Sequence, residues 1–157
     1  MNDTLFSLSG HTAMVTGASS GLGRTFASVL AAAGASVVLT GRRMELLEQA
    51  CAEITSQGGE AMAVNMDVTD EKTVTQSFDE AERNCGCIDI LVNNAGGPPP
   101  GMWSDWDRED FIKALDANML APIAMIKALV PAMMDRGWGR VVNITSQSVR
   151  APIGVLG

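Results

Sequence analysis

Eight consecutive residues, Thr16-Gly17-Ala18-Ser19-Ser20-Gly21-Leu22-Gly23, follow a short β-prone run and open directly into a helical pattern. Glycines so placed suit a loop that brings a pyrophosphate onto backbone N–H groups at a helix N-terminus, where the helix dipole is partially positive. Gly17 permits the sharp turn, Gly21 removes a side chain that would block the phosphates, and Gly23 lets the helix press against a sheet. The Ser19 and Ser20 hydroxyls can add donors. The spacing is Gly-x-x-x-Gly-x-Gly rather than the commoner Gly-x-Gly-x-x-Gly, and no Gly-Lys-Ser/Thr follows, which excludes a P-loop. Three glycines can also be a tight turn only; the position between a strand and a helix is what favours the anion cradle.

Further along, the run Leu39-Thr40-Gly41-Arg42-Arg43 has no acid before Glu45. Dinucleotide-binding domains place an acid at this point to hold the ribose 2′-hydroxyl of NAD, whereas an arginine accommodates the 2′-phosphate of NADP. A guanidinium clamps a phosphate with two charge-assisted hydrogen bonds. The expectation is therefore NADP(H) over NAD(H), with Arg42 as the first choice; two solvated arginines at a helix start are the alternative. Pro122 lies four residues after Asn118 and carries no N–H, so the Asn118 carbonyl loses its usual helical donor. A freed carbonyl attracts a water, and a kink that bends the helix over the sheet is compatible with the same residue. Thr145-Ser146-Gln147-Ser148 brings several hydroxyls to a strand end, able to bond a ligand oxygen or to cap a following helix.

These groups need a scaffold, and the apolar periodicity supplies one. Strand-length runs at Thr12 to Thr16, Ser36 to Thr40, Glu60 to Asn65, Ile88 to Asn93 and Arg140 to Thr145 alternate with helical patterns. The helices are expected at about Leu22 to Ala33, with Gly34 ending the first; at Met44 to Gln57, stopped by Gly58-Gly59; from a Thr69 cap to about Asn84; and at roughly Arg108 to Asp135. Such alternation with short connections predicts one α/β domain over residues 1–157, a parallel sheet with helices on both faces. The stretch from Gly96 to Gly101, rich in glycine and proline, reads as a loop inside the domain. Trp103 and Trp106 after it either pack that loop down or line a pocket.

Composition narrows the function classes. The 157 residues carry 11 basic and 18 acidic side chains, a net charge of −7, with 46% hydrophobic and 18% charged residues. That balance describes a globular chain and argues against nucleic acid or an anionic membrane as partner. The longest apolar stretches are interrupted by Gly34 or by Pro122, Lys127 and Pro131, so no span is expected. Nor does the N-terminus resemble a signal peptide. Cys51, Cys85 and Cys87 form no Cys-x-x-Cys pair and His11 is the only histidine, which predicts no metal, reduced thiols and a cytoplasmic setting. Tyrosine is absent.

With these motifs in hand, the chain resembles the short-chain dehydrogenase/reductase family, and most of all its 3-oxoacyl-thioester reductases. The glycine segment matches the family signature. Asn65-Met66-Asp67-Val68 looks like the family's adenine-contacting segment, and Asn93-Asn94-Ala95-Gly96 matches its Asn-Asn-Ala-Gly motif beside the cofactor. Asn118 and Ser146 fall where the family keeps two catalytic residues. The resemblance implies a Rossmann-type doubly wound sheet of order 3-2-1-4-5. Thr16, Gly17, Ser19, Ser20, Gly21, Leu22, Gly23, Arg42, Asp67, Val68, Asn94, Ala95 and Gly96 would then bind the cofactor. It further implies hydride transfer between nicotinamide and a carbonyl or secondary alcohol, Ser146 polarising the substrate oxygen, and a homo-oligomer, dimer or tetramer, built through the long helix. The family's tyrosine and its partner lysine fall past Gly157, and no lysine follows Lys127, so the chain reads as the cofactor-binding portion of a longer protein lacking the family's C-terminal strands. Strand five is then expected at an open edge. The run from Val149 to Gly157 resembles a divergent branch in which the tyrosine is replaced. The alternative to an oxidoreductase is a non-catalytic NADP(H)-binding or interaction module.

Overall fold

The computed structural model describes residues 3–96, 101–146 and 150–151; Ser148, the prolines at 98–100 and residues 152–157 of the last run lie outside them. Strands β1 (Thr12–Thr16), β2 (Ser36–Gly41), β3 (Glu60–Asn65), β4 (Ile88–Asn93) and β5 (Arg140–Asn143) alternate with helices α1 (Gly21–Ala32), α2 (Met44–Ser56), α3 (Glu71–Cys85), α4 (Arg108–Leu115) and α5 (Ala121–Asp135). The strands pair in parallel in the order β3-β2-β1-β4-β5, the order expected. Two layers of apolar packing follow from the two-residue period of a strand. Ala13, Val15, Val37, Leu39, Ile90 and Val92 face α1 and α2 through Ala27, Ala31, Leu47, Ala50 and Ile54. Met14, Val38, Val64 and Leu91 face α3 and α5 through Val74, Ala81, Met125, Leu129 and Met133.

Helix ends mostly obey their local chemistry. Gly34 sits at φ +100°, with the Ala35 N–H reaching back to the Leu30 carbonyl at 3.1 Å, so a left-handed glycine closes α1. Asp107 caps α4 by accepting from the Glu109 and Asp110 N–H groups, while Asp110 returns a bond to the Asp107 N–H, a complete capping box. The expected Thr69 cap of α3 is corrected to Asp70, which accepts from the Lys72 N–H. Thr69 is engaged one turn earlier, its N–H and hydroxyl both donating to Asp67 Oδ1 at 3.0 and 2.8 Å.

Two further expectations are revised. The single long helix is interrupted by a π-helical segment, Asp116–Leu120, in which the Ala121 N–H bonds the Asp116 carbonyl five residues back. The cause is Pro122, which cannot donate to Asn118 and widens the turn before it. Strand β5 ends at Asn143 rather than Thr145, although the Ile144 N–H still reaches the Asn93 carbonyl at 2.9 Å. The run Arg108–Asp135, 28 residues, is long and apolar enough by length and composition to cross a membrane, against the expectation of no such segment. The helix continues through Pro131, which is why that residue does not cut the run short. One of its faces packs on the sheet. The remainder exposes Phe111, Ile112, Leu115, Met119, Leu120, Ile123 and Met134. At the sheet edge Val142 of β5 and Ile144 just past it are exposed as well, as anticipated for an outer strand.

Asp89 secures the base of the sheet. The β1–β4 register slips between Thr12 and Ala13, stepping past Asp89, and the carboxylate replaces the ladder by accepting the Thr12 N–H at 3.2 Å. The same side chain takes Arg136 Nη2 at 3.1 Å and faces His11 Nδ1 at 3.3 Å. Trp138 stacks flat on His11, ring centroids 3.8 Å apart, and Arg140 covers Trp138 at 4.8 Å. Asp89→Ala leaves the buried Thr12 N–H without its acceptor and removes one of two acceptors of Arg136 Nη2, which keeps the Ile88 carbonyl at 2.9 Å. It is expected to lower stability by about 2 kcal/mol, with Asp89→Asn losing roughly half of that, read from urea midpoints at constant slope.

Candidate functional site

The site is built at the carboxyl ends of β1 and β4. Thr16, the last residue of β1, is 1% exposed. Its hydroxyl donates to the Val92 carbonyl at 3.3 Å and accepts the N–H groups of both Asn94 and Ala95 at 2.9 Å. The Asn94 amide answers by donating to the carbonyls of Thr16 (2.9 Å) and Gly17 (3.4 Å). The glycine turn after β1 is thus tied to the loop after β4 by side chains from both.

Gly17 adopts φ +66°, and a Cβ there would stand 2.9 Å from the Ala95 Cα. Both the turn and the close approach require glycine. A Cβ on Gly23 would lie 2.4 Å from the Gly17 carbonyl oxygen and 2.5 Å from Asn94 Nδ2. Gly23 therefore admits the glycine turn and Asn94 against the helix, a nearer partner than the sheet surface that the spacing suggested. Gly21, at φ +57°, has no atom within 4 Å of where its Cβ would be. Behind it, Ser20 caps α1 without a side-chain hydrogen bond, so the first N–H groups of the helix are not taken by that hydroxyl. An open glycine in front of such a helix start has the shape and polarity of an anion cradle. Leu22 is exposed on the first turn of α1, and Ala18 is anchored by its N–H to the Thr40 carbonyl at 3.0 Å.

The two arginines after β2 divide their work. Arg43 bends over the glycine loop, donating to Ser19 Oγ at 3.2 and 2.7 Å and to Ser20 Oγ at 2.7 Å. Arg42, the first choice from sequence, is 79% exposed and faces Asp67 at 3.9 Å. The contact of Arg43 with the serine pair was not foreseen; the adjacent Arg42-Arg43 pair was its only sequence signal. Asp67 follows β3, and its carboxyl lies below the usual range because the Thr69 N–H, the Thr69 hydroxyl and Arg42 favour its charge, against a smaller penalty from burial. Val68 faces the Thr16 and Asn93 side in a small cavity also lined by Ala95, Ala117, Pro122 and Met125.

Of the remaining two candidates, Asn118 lines a second cleft and Ser146 follows its last lining residue. A cavity of about 260 Å³ is lined by Asn93, Asn118, Pro122, Ile123, Asn143 and Thr145, among others, and Ser146 is the next residue in the chain. Asn118 stands in the π segment with its amide Nδ2 donating back to the Ala114 carbonyl at 2.8 Å. Sequence reasoning also missed the Asn93–Asn143 bond, Nδ2 to Oδ1 at 2.8 Å, which joins the ends of β4 and β5. Only the strand register makes these two residues opposite partners. Trp106 packs against Phe111 edge-on, 5.6 Å between centroids, and its indole lies against Gly101. Among the described residues no three or more His, Cys, Asp or Glu side chains gather as a metal site. Burial first, and Glu48 second, push the Cys51 thiol up to about 11, and burial with Glu60 raises that of Cys85, so neither is a thiolate nucleophile at neutral pH.

Comparison with known proteins agrees with this geometry. The model of the family described as short chain dehydrogenase matches residues 11–156. The gluconate 5-dehydrogenase of Gluconobacter oxydans is 41% identical over 152 residues, covering 96% of this chain and 59% of that enzyme. A 7α-hydroxysteroid dehydrogenase structure complexed with NADH and 7-oxo glycochenodeoxycholic acid superimposes with a TM-score of 0.92 at 33% identity, over 99% of this chain and 60% of that one. A metagenomic short-chain oxidoreductase in complex with NADP gives a TM-score of 0.86 at 34% identity, over 95% of this chain and 69% of that one. The chain thus spans about three fifths of the length of the gluconate and steroid dehydrogenases.

Because the Thr16 hydroxyl serves two part-buried N–H groups, Thr16→Val is expected to cost about 1–2 kcal/mol through the orphaned donors, while Thr16→Ser stays within about 1 kcal/mol of wild type. Thermal and urea denaturation of the two variants side by side measure the difference.

Proposed function

The chain belongs to the short chain dehydrogenase family, and from that premise we propose that the protein is a nicotinamide-nucleotide oxidoreductase acting on a carbonyl or secondary alcohol. The single observation that carries the proposal is the cradle itself: Gly17 and Gly21 at positive φ, open space at Gly21, and the α1 N-terminus behind it. The residues present fit a dinucleotide. Thr16, Gly17, Ser19, Ser20, Gly21, Leu22 and Gly23 would hold the pyrophosphate side, Asp67 and Val68 the adenine, and Asn94, Ala95 and Gly96 the far side of the cleft. When bound, the cofactor supplies or accepts the hydride.

The chain's own groups would do the rest. Ser146 would donate a hydrogen bond to the substrate oxygen and stabilise the charge that develops there. The Asn118 main-chain carbonyl, deprived of a donor by Pro122, would hold a water on the proton path. We favour NADP(H) because two arginines and no acid follow β2: Arg42 presents an exposed guanidinium, and Arg43 is already oriented over Ser19 and Ser20. Its setting in this proposal is the cytoplasm.

Separate titrations with NADPH and NADH, followed by nicotinamide fluorescence, test the reading. NADPH is expected to bind at least about tenfold more tightly, and Arg42→Ala is expected to remove most of that preference, a change of about 1.4 kcal/mol. Equal affinity for both nucleotides would overturn the NADP(H) assignment. The alternative reading is a nucleotide-binding module without turnover. NADPH binding with no hydride transfer across a panel of ketones would select it, whereas turnover lost in Ser146→Ala would dismiss it.

We also propose that the protein self-associates through the apolar face of α4, the π segment and α5. Phe111, Ile112, Leu115, Leu120 and Ile123 are about half exposed there, a patch of the kind that marks an interface. Light scattering after size exclusion is expected to give a dimer or larger for wild type and a smaller mass for Leu115→Glu.

A further inference from the structure

The π segment leaves one carbonyl with no helical partner at all. In an α-helix the Ala117 carbonyl would accept from the Ala121 N–H, but that N–H is bonded to the Asp116 carbonyl. In a π turn it would accept from residue 122, which is proline and has no N–H. Ala117 and Pro122 line a cavity with about 10 Å³ open to the centre of a water molecule, roughly the minimum that holds one. Asn93 lines the same cavity and is 6% exposed. Its Nδ2 is engaged by Asn143, and its Oδ1 is buried with no partner among the described residues. Asn93, with its unpartnered amide oxygen, and Ala117, whose carbonyl lacks its α-helical and π-helical donors, therefore both line a space of one water.

We propose that this cavity is a binding site for a single structural water, which donates one hydrogen to Asn93 Oδ1 and the other to the Ala117 carbonyl. The ligand must be a donor of two hydrogens and no larger than water. A cation of that size would lack the charged ligands to replace its hydration, since the other lining side chains are Thr16, Val68, Ala95, Pro122 and Met125. The Thr16 hydroxyl already serves Val92, Asn94 and Ala95. The water bridges the end of β4 to the break in the long helix and so sets where Asn118 stands at the larger cleft. If both asparagine amides were turned end for end, an N–H would face the cavity and the water would accept from it; the site and its occupant would be unchanged.

Water-to-methyl cross-relaxation in the isotope-labelled full chain tests the site without any nucleotide. A contact from long-lived water to the Ala117 or Met125 methyl group is expected in wild type, with the sign of a molecule that tumbles with the protein. Asn93→Leu keeps the side-chain size but offers no acceptor, and the contact is expected to disappear. Pro122→Ala supplies an N–H that competes for the carbonyl, and the contact is expected to weaken at least about twofold. Asn118→Ala is expected to leave it unchanged, because its side chain bonds Ala114 instead. Absence of a long-lived water in wild type would overturn the proposal even if no variant folded. Equal persistence in Asn93→Leu and Pro122→Ala would overturn it as well.

Discussion

Much of this structure hangs on one buried hydroxyl. Thr16 ends β1 where the backbone must turn sharply, and its Oγ1 gathers the Val92 carbonyl and the N–H groups of Asn94 and Ala95 into one node. Each of those part-buried N–H groups takes this hydroxyl as its acceptor, so the node is what lets two strands end together without a continuing ladder. The Asn94 amide closes the node from the other side by bonding the Thr16 and Gly17 carbonyls. Glycine at 17 and at 23 is then a consequence: two loops and a helix converge within a space where even one methyl group collides. The cradle is a region of close backbone approach that the node holds in register.

A second constraint acts through a missing atom. Pro122 deprives the long helix of one donor, and the chain answers with a π segment rather than a sharp bend. That segment faces the ends of β4 and β5, so its displaced carbonyls and Asn118 come to the wall of the cleft. The same widening turns α4 and α5 into a surface with two characters. Met125, Leu129 and Met133 cover the sheet, while Phe111, Leu115 and Ile123 remain exposed. An apolar exposed face beside a buried one is unusual for a chain of net charge −7, and it concentrates the opportunity for association on a single element.

Electrostatics at the opposite side of the cradle are local rather than global. The chain is acidic overall, yet Arg42 and Arg43 stand together after β2, with Asp67 held in its charged form nearby. Among the described residues Arg43 makes no ion pair. It bonds two neutral hydroxyls and so keeps its full charge beside the glycine loop. A cation oriented by serines, next to a helix N-terminus, would favour an anion there in a molecule whose net charge is negative. At the base of the sheet the arrangement is reversed: the Asp89 carboxylate is surrounded by Arg136, His11 and a backbone N–H, and serves to repair a register slip.

Sequence alone determined the alternation of strands and helices, the glycine turn, the capping glycine after α1 and the loss of a helical donor at Pro122. All of these depend on near neighbours: period-two burial, backbone freedom at glycine, the absent N–H of proline. The motifs Asn93-Asn94-Ala95-Gly96 and Asn65-Met66-Asp67-Val68 were legible as the likeness they carry, though not as contacts. What only the tertiary structure decided are the meetings between distant residues. Arg43 rather than Arg42 lies on Ser19 and Ser20, because the turn after β2 aims successive side chains to opposite sides. Asn93 and Asn143 become partners only through the β4–β5 register. Asp70 replaces Thr69 as a cap because Asp67 had already claimed that threonine. Each is a competition among groups far apart in the chain or equally eligible nearby, and packing geometry, which no local pattern encodes, selects the winner.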